Sequence, residues 1–188
     1  MFGPTFNLSD LNGSNGFAIN GIAAGDFSGG SVSNAGDVNG DGFDDLIIGA
    51  GDASPNGILA AGQSYVVFGS NSGFGAGLNL SALNGSNGFA INGIAVADSS
   101  GESVSSAGDV NGDGIDDLII GAFGADPNGI GGAGQSYVVF GSNSGFGAGL
   151  DLSTLNGSNG FAINGIAVFD FSGWSVSKIG RASCRERV

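Results

Sequence analysis

The sequence contains no histidine, and among its 188 residues there are only one cysteine and four lysine or arginine residues. Without histidine, the chain cannot build a Ser-His-Asp or Cys-His nucleophilic arrangement. We therefore predict that the chain is not an enzyme by itself.

No hydrophobic run approaches the roughly 18 residues that a transmembrane helix requires, so membrane insertion is not expected.

Positive charge is scarce, and the formal net charge is -13. This acidity argues against nucleic acid as a partner, because nucleic-acid-binding proteins need a basic surface. Anionic membrane surfaces are disfavoured for the same reason, whereas metal cations are natural counter-ions. The first ten residues lack the basic and apolar regions of a signal peptide, which is compatible with a secreted protein whose start is missing.

The composition changes abruptly near the end of the chain. The whole basic content and the single cysteine lie within residues 178–188: Lys178, Arg181, Cys184, Arg185 and Arg187. The segment KIGRASCRERV also reads as an in-frame translation of a common sequencing adaptor, so we interpret residues 178–188 as a non-native tail. The alternative is a genuine basic tail. Without Cys184, residues 1–177 contain no disulfide framework.

Glycine is abundant, with 40 residues, although hydrophobic residues still make up 41% of the chain and include 14 phenylalanines. Average glycine usage is about 7%. Disordered segments have low hydrophobicity, so this composition instead indicates short strands separated by many tight turns.

An internal repeat of 72 residues organises the chain. The segment NGSNGFAINGIA begins at Asn12, Asn84 and Asn156, and the segment AGDVNGDG begins at Ala35 and Ala107. The third copy stops after residue 177, where the composition also changes. Self-similarity at a fixed period is typical of repeat folds such as solenoids and propellers. Because the terminal repeats lack caps, residues 1–177 alone are expected to be poorly stable and to associate.

Each repeat is predicted to form four short strands, exemplified by residues 31–38, 44–50, 63–69 and 89–94. Four strands per repeat with glycine-rich turns indicate propeller blades. We therefore predict an all-β fold, a partial β-propeller with two complete four-stranded blades at about residues 31–94 and 103–166. Residues 17–22 would form an unpaired outer strand, and residues 175–177 would begin a third blade.

The sequence of the repeat resembles a known family. Phe27-Ser-Gly-Gly-Ser-Val, the segment 36–50 (GDVNGDGFDDLIIGA) and the segment 63–69 (QSYVVFG) resemble the FG-GAP repeat, and this resemblance extends over residues 1–177. That repeat builds the seven-bladed propeller of integrin α-chains and occurs in many bacterial surface proteins. The chain departs from the family pattern at the "GAP" position, where Gly49-Ala50-Gly51 lacks proline. The "FG" position is Phe27-Ser28 in the first copy and Ser99-Ser100 in the second.

The pattern D-x-N-x-D-G-x-x-D occurs once in each complete repeat and predicts a calcium loop. Calcium prefers six to eight oxygen ligands in a flexible geometry. Side chains at positions 1, 3, 5 and 9, together with the backbone carbonyl at position 7, would supply these oxygens, with the last Asp bidentate. We expect the ion to hold the hairpin together in a structural role, with one Ca²⁺ per loop and two in the chain. The predicted ligands are Asp37, Asn39, Asp41, Phe43 and Asp45 in one loop and Asp109, Asn111, Asp113, Ile115 and Asp117 in the other.

Rival metal-binding motifs fit this pattern less well. An EF-hand needs Glu at position 12 and flanking helices, whereas position 12 here is Ile48 or Ile120, inside an apolar run. The nonapeptide of a repeats-in-toxin roll is not repeated. Magnesium prefers a rigid octahedral geometry with retained waters. The remaining alternative is that these residues only make solvated turns. We expect a calcium affinity near the extracellular range, about 10⁻⁴–10⁻³ M.

Three further features have two interpretations each. Five Asn-x-Ser triplets match the glycosylation acceptor pattern of a glycoprotein, but Asn-Gly and Asn-Leu are equally typical of turns. The loops at 54–57 and 126–129 are candidates for ligand contact or idle connectors. Trp174 is either a binding anchor or a packing residue between blades. The five triplets begin at Asn7, Asn12, Asn79, Asn84 and Asn156.

The resemblance implies an extracellular or cell-surface module for adhesion or for binding a protein or glycan ligand. An alternative implied by the family is a non-catalytic propeller attached to a secreted hydrolase or phospholipase. A third possibility is a structural array whose only activity is calcium-dependent folding. All three rest on family analogy.

Overall fold

The structure of the chain, a computed structural model, describes residues 5–178. It consists of short β-strands and single-turn 3-10 helices. The strands are β1 Ala18–Asn20, β2 Ser31–Gly36, β3 Asp45–Ala50, β4 Gln63–Val67, β5 Gly77–Asn79, β6 Gly88–Asn92, β7 Ser103–Gly108, β8 Asp117–Ala122, β9 Gln135–Val139, β10 Gly149–Asp151 and β11 Gly160–Asn164. The 3-10 helices are Leu8–Asp10, Pro55–Gly57, Leu80–Ala82, Pro127–Gly129 and Leu152–Thr154.

Two antiparallel meanders form the blades. The first runs in the order β2-β3-β4-β6 and the second in the order β7-β8-β9-β11, with the same register in each. Near the end of β2 the register shifts between Asn34 and Gly36, and the same irregularity recurs between Ser106 and Gly108 in β7. The prediction of an all-β partial propeller is confirmed.

The core lies mainly between the two blades. The apolar runs of β3 and β8 are buried because each is a central strand, covered on both faces. Ile47, Val66 and Phe89 of the first blade belong to the same buried cluster as Leu118 and Ile120 of the second. Burial of this shared cluster is the main reason that the two blades pack against each other.

A fifth strand extends the first blade and was not predicted. Strand β10, which comes from the following repeat, pairs in parallel with the outer edge of β6. Strand β5 makes the same parallel pairing with β1. The predicted outer strand at residues 17–22 is therefore shorter than expected, and it is paired along one edge. Each repeat thus contributes one strand to the blade before it.

Hydroxyl groups bridge successive inner strands. The backbone N–H of Val104 in β7 donates to Ser31 Oγ in β2 at 3.0 Å. One repeat later, the N–H of Val176 donates to Ser103 Oγ at 2.9 Å. The segment at 175–177 therefore lies on the second blade as β7 lies on the first, although it is not assigned as a strand.

The division of the chain at residue 177 stays a prediction. Lys178 is the last described residue, and residues 179–188 of the predicted non-native tail lie outside the described residues. Within the part of the chain that the structure describes, no helix has the length and apolar character needed to cross a membrane.

Candidate metal centre

The two predicted metal loops occupy the same position in both blades. Residues 37–44 join β2 to β3, and residues 109–116 join β7 to β8. Both loops therefore lie at the same end of the propeller. The positive φ angles of Gly42 and Gly114, 88° and 89°, fall in the left-handed region that glycine tolerates, and they create the sharp bend of each loop.

The first aspartate of each loop organises the backbone. One oxygen of Asp37, Oδ1, accepts the N–H groups of Gly40 at 2.8 Å and Asp41 at 3.0 Å. The other oxygen, Oδ2, accepts the N–H of Gly42 at 2.8 Å. Asp109 makes the same three bonds in the second loop. Three backbone N–H groups around one carboxylate hold each loop in its turn conformation.

The residues at positions 3 and 5 are linked to each other. The N–H of Asp41 donates to Asn39 Oδ1, and Asn39 Nδ2 donates to Asp41 Oδ2, both at 2.9 Å. Asp41 Oδ1 accepts the N–H of Phe43, also at 2.9 Å. Asn111, Asp113 and Ile115 repeat these contacts at the same distances. The two loops thus share one geometry, as their sequences predict.

The aspartate at position 9 has a different environment, because it is buried. Asp45 is only 3% exposed, and its two oxygens accept the N–H groups of Val38 at 3.0 Å and Gly69 at 2.8 Å. Burial is the largest effect that raises the pKa of Asp45 to about 6. The two hydrogen bonds lower this pKa, and the nearby charges of Asp41 and Asp37 raise it. The carboxylate is therefore a clamp that connects the start of the loop to the segment that follows β4.

Asp117 forms the corresponding clamp in the second blade. It is fully buried, and it accepts the N–H groups of Val110 at 2.8 Å, Asn111 at 3.3 Å and Gly141 at 2.9 Å. Desolvation raises the pKa of Asp117, and its hydrogen bonds oppose that shift. A buried carboxylate with a complete set of backbone donors is a structural element with or without a cation.

The loops offer oxygen donors only, which suits a hard cation such as calcium. However, within residues 5–178 no group of three or more carboxylate, histidine or cysteine side chains is arranged to hold a metal ion. The oxygens of Asp45 and Asp117 face backbone amides, so a cation in the loop would also need the Asn amide oxygen and a backbone carbonyl. The residue types fit calcium, and the ligand set, including the bidentate role of Asp45 and Asp117, stays a prediction.

Sequence reasoning missed the role of Asp116, the aspartate before the second clamp. Asp116 Oδ2 accepts the N–H of Asp37 at 3.3 Å, and the N–H of Asp116 donates to the Asp37 carbonyl at 3.2 Å. The N–H of Ser142 also donates to the Val38 carbonyl at 2.8 Å. The first loop is therefore part of the joint between the blades. The doubled Asp-Asp in each repeat was the only signal of this role.

The opposite end of the propeller carries the turns at Pro55–Gly57 and Pro127–Gly129. Their central residues, Asn56 and Asn128, adopt left-handed φ angles of 56° and 57°. Beside the second turn lies a cavity of about 220 Å³, lined by Asp98, Asp126 and Tyr137 among others. The structure places these candidate ligand loops away from the metal loops, as expected from the order of the strands.

The Asn-x-Ser triplets at 12, 84 and 156 form side-chain turns. In each, the Asn Oδ1 accepts the N–H and the Oγ–H of the Ser two residues later, at 2.6–3.0 Å. This geometry agrees with the interpretation as turn residues. Trp174 contacts Phe123 of the second blade edge-on, with ring centroids 4.6 Å apart, while remaining 62% exposed.

The fold and its repeated acidic loop define a partial β-propeller assembled from tandem units. The FG-GAP repeat family model matches residues 28–67 and 100–139. The chain thus contains two FG-GAP repeats, consistent with part of an integrin-like propeller, and repeats of this kind are typical of extracellular propellers and generally non-catalytic. No curated protein matches the sequence.

Proposed function

We propose that the chain is a calcium-binding propeller module of an extracellular or cell-surface protein, that it serves adhesion or ligand binding, and that it has no catalytic activity of its own. The observation that carries this proposal is the duplicated acidic loop, whose geometry is the same in both blades. Two independent copies of a nine-residue pattern with every ligand position filled are hard to explain as solvated turns alone.

In this proposal the side-chain oxygens of positions 1, 3, 5 and 9 and the carbonyl at position 7 hold one Ca²⁺ in each loop. The ion supplies positive charge among carboxylates that otherwise repel one another. Because the first loop also contacts Asp116 and Ser142 of the second blade, bound calcium would stabilise the joint between blades as well as the hairpin.

The partner is proposed to be a protein or a glycan that contacts the end opposite the metal loops. The turns at Pro55–Gly57 and Pro127–Gly129 are exposed in part, and the second turn lies beside the cavity of about 220 Å³. Loops on a rigid scaffold are common positions for binding residues. The acidic composition is a reason to expect neither nucleic acid nor an anionic membrane as partner.

The first test is thermal unfolding in calcium, in magnesium and in a chelator. We expect calcium to raise Tm, since a ligand that binds only the native state stabilises it by about 2.7 kcal/mol per site at 100 times Kd. Magnesium at the same concentration should raise Tm less, because it dehydrates reluctantly and demands octahedral geometry.

A double variant separates metal binding from loop folding. Asp41→Ala with Asp113→Ala removes a proposed ligand from each loop, and each of these side chains holds only one backbone N–H. The calcium-dependent rise in Tm should disappear in this variant and persist in Asp52→Ala, which removes an exposed aspartate outside the loops. An equal rise in wild type and double variant would show that the loops do not bind the ion.

A further inference from the structure

The last aspartates of the two acidic loops are joined by one series of hydrogen bonds that crosses between the blades. Asp117 Oδ1 accepts the N–H of Gly141 at 2.9 Å. The next residue, Ser142, donates its N–H to the Val38 carbonyl at 2.8 Å. The N–H of Val38 in turn donates to Asp45 Oδ2 at 3.0 Å. A short path through the backbone therefore leads from position 9 of the second loop to position 9 of the first.

Most of this path is buried. Asp117 and Val38 are 0% exposed and Asp45 is 3% exposed, and Gly141 is buried as well. A buried polar group that loses its partner is costly, so these hydrogen bonds are expected to form and break together. A Cβ atom on Gly141 would collide with the backbone carbonyl oxygen of Asp116, which leaves little space for one member to shift without the others.

Asp116 makes a second connection between the loops. It lies between positions 7 and 9 of the second loop and contacts Asp37, which is position 1 of the first. Asp116 Oδ2 accepts the N–H of Asp37 at 3.3 Å, and the N–H of Asp116 donates to the Asp37 carbonyl at 3.2 Å. Gly36 permits this approach, because a Cβ atom there would collide with the Asp116 carboxylate. Asp44, at the same repeat position as Asp116, instead accepts a hydrogen bond from Asn34 Nδ2 of its own blade at 3.2 Å.

We propose that the two acidic loops are energetically coupled, so that calcium in one loop raises the affinity of the other for calcium. This inference rests on the proposed function as a calcium-binding propeller. When the second loop is ordered, Asp116 and Asp117 are fixed, and the two connections then fix the backbone that carries Asp37 and Asp45. The first loop loses less conformational freedom when it binds, which gives positive coupling. Coupling between two binding sites is reciprocal, so the order of binding does not matter.

The coupling factor can be measured by calcium titration of the 188-residue chain. Wild type gives the product of the two stepwise association constants. Asp41→Ala and Asp113→Ala each disable one loop and give the association constant of the other loop alone. The wild-type product divided by the product of the two single-loop constants is the coupling factor, which we expect to be at least about 5. Circular dichroism would establish that each sample is folded before calcium is added.

Asp116→Ala tests whether the connection carries the coupling. The substitution removes the acceptor of the Asp37 N–H and lies outside the proposed ligand set. The same three titrations, each with Asp116→Ala added, should give a coupling factor at least about 2-fold lower, the effect of one weak hydrogen bond. Asp44→Ala is the matched control, because it removes the same charge from the same repeat position and a contact only within the first blade. It should keep the wild-type factor.

Hydrogen exchange provides a second measurement that does not depend on fitting a binding curve. In Asp41→Ala, calcium is expected to bind the second loop alone. It should nevertheless slow exchange of the Asp37 amide in the first loop by at least about 5-fold, because the coupling stabilises the ordered form of that loop. The slowing should be smaller when Asp116→Ala is added and unchanged when Asp44→Ala is added.

The outcomes separate this inference from the function on which it rests. Two ions bound with a coupling factor of 1 or less would overturn the inference and leave the proposed function intact. An equal factor in wild type and Asp116→Ala, or an equal loss in Asp44→Ala, would also overturn it, because the contact between the loops would then carry no coupling. Folded wild type that binds no calcium would overturn the proposed function and this inference together.

Discussion

At the scale of single residues, two positions show how tightly the blades meet. A Cβ atom on Gly49 of β3 would collide with the carbonyl oxygen of Gly101 in the following repeat, and Gly121 meets Gly173 in the same way. The backbones approach so closely that only glycine fits, and the neighbouring atom is backbone, which cannot rotate away as a side chain can. The approach follows from the packing of one blade on the next.

Gly49→Ala should therefore destabilise the chain by about 1–3 kcal/mol, the usual cost of overpacking. The measurement is urea unfolding of the variant and of wild type. Gly131→Ala is the matched control, since a Cβ there meets nothing within 4 Å, and its effect should stay within about 0.5 kcal/mol. Equal effects at both glycines would refute the close approach of the blades.

Asp98 is a second residue whose environment makes a prediction. It is 6% exposed, and burial raises its pKa above the ordinary value of 3.8, while the N–H of Ala95 lowers it and Asp126 raises it further. The native state therefore holds a proton to higher pH than the unfolded chain does. Between those two pKa values, stability falls as pH rises, because the native state binds more protons.

Asp98→Asn keeps an oxygen for the Ala95 N–H (3.0 Å from Asp98 Oδ2) and removes the buried charge. The variant should be more stable than wild type at pH 7, and the difference should vanish below pH 3.8, where both native and unfolded Asp98 are protonated. Denaturant unfolding of the variant and of wild type at several pH values measures this difference in stability. Asp170→Asn, at the same repeat position but exposed, should follow wild type throughout.

At the scale of elements, the outer strand of a blade depends on the repeat that follows it. Phe89 in β6 is covered by Phe146, whereas Phe161 in β11 contacts Phe140 edge-on with centroids 5.9 Å apart and is partly exposed. Phe89→Leu should cost about 1–2 kcal/mol through the lost aromatic stack and poorer packing. Phe161→Leu is the control in the same sequence context.

The comparison is made by urea unfolding of both variants and of wild type at the same low protein concentration. Phe161→Leu should change the free energy of unfolding by less than about 0.5 kcal/mol, as substitutions at poorly packed surface positions do. If the two substitutions cost the same, the coverage of β6 by the following repeat contributes no stability.

The strands that the sequence predicts are those with a strong local pattern. The run DLIIGA and the alternation in QSYVV indicate strands by themselves, and the structure places strands there. Strands β5 and β10 were missed because Gly-Leu-Asn and Gly-Leu-Asp have no alternating pattern over three residues. Their pairing with the preceding blade is a tertiary contact that the local sequence does not record.

The position of the acidic loop was predictable from its residues, and its geometry only in part, while its binding of calcium stays a prediction. The hydrogen bonds of Asp37 repeat in Asp109, as the identical spacing implies. The burial of Asp45 was not predictable, because it depends on the N–H of Gly69, which follows β4 and lies 24 residues further along the chain. The contact of Asp116 with Asp37 was missed for the same reason, since it joins two repeats.

At the scale of the whole molecule, the joint between blades and the candidate metal centre are one structure. Backbone carbonyls of the first loop accept hydrogen bonds from the N–H groups of Asp116 and Ser142 in the second blade. The serine hydroxyls of β2 and β7 each accept a hydrogen bond from a backbone N–H of the repeat that follows. A cation held in the loop would therefore affect how the blades associate, and not only the hairpin that contains it.

The number of calcium ions bound by the folded chain tests this account most directly. Equilibrium dialysis at saturating calcium should give two ions for wild type, one for Asp41→Ala or Asp113→Ala and none for the double variant. Circular dichroism of each sample would establish that the chain is folded. Folded wild type that binds no calcium, or binding that these substitutions leave unchanged, would contradict the account.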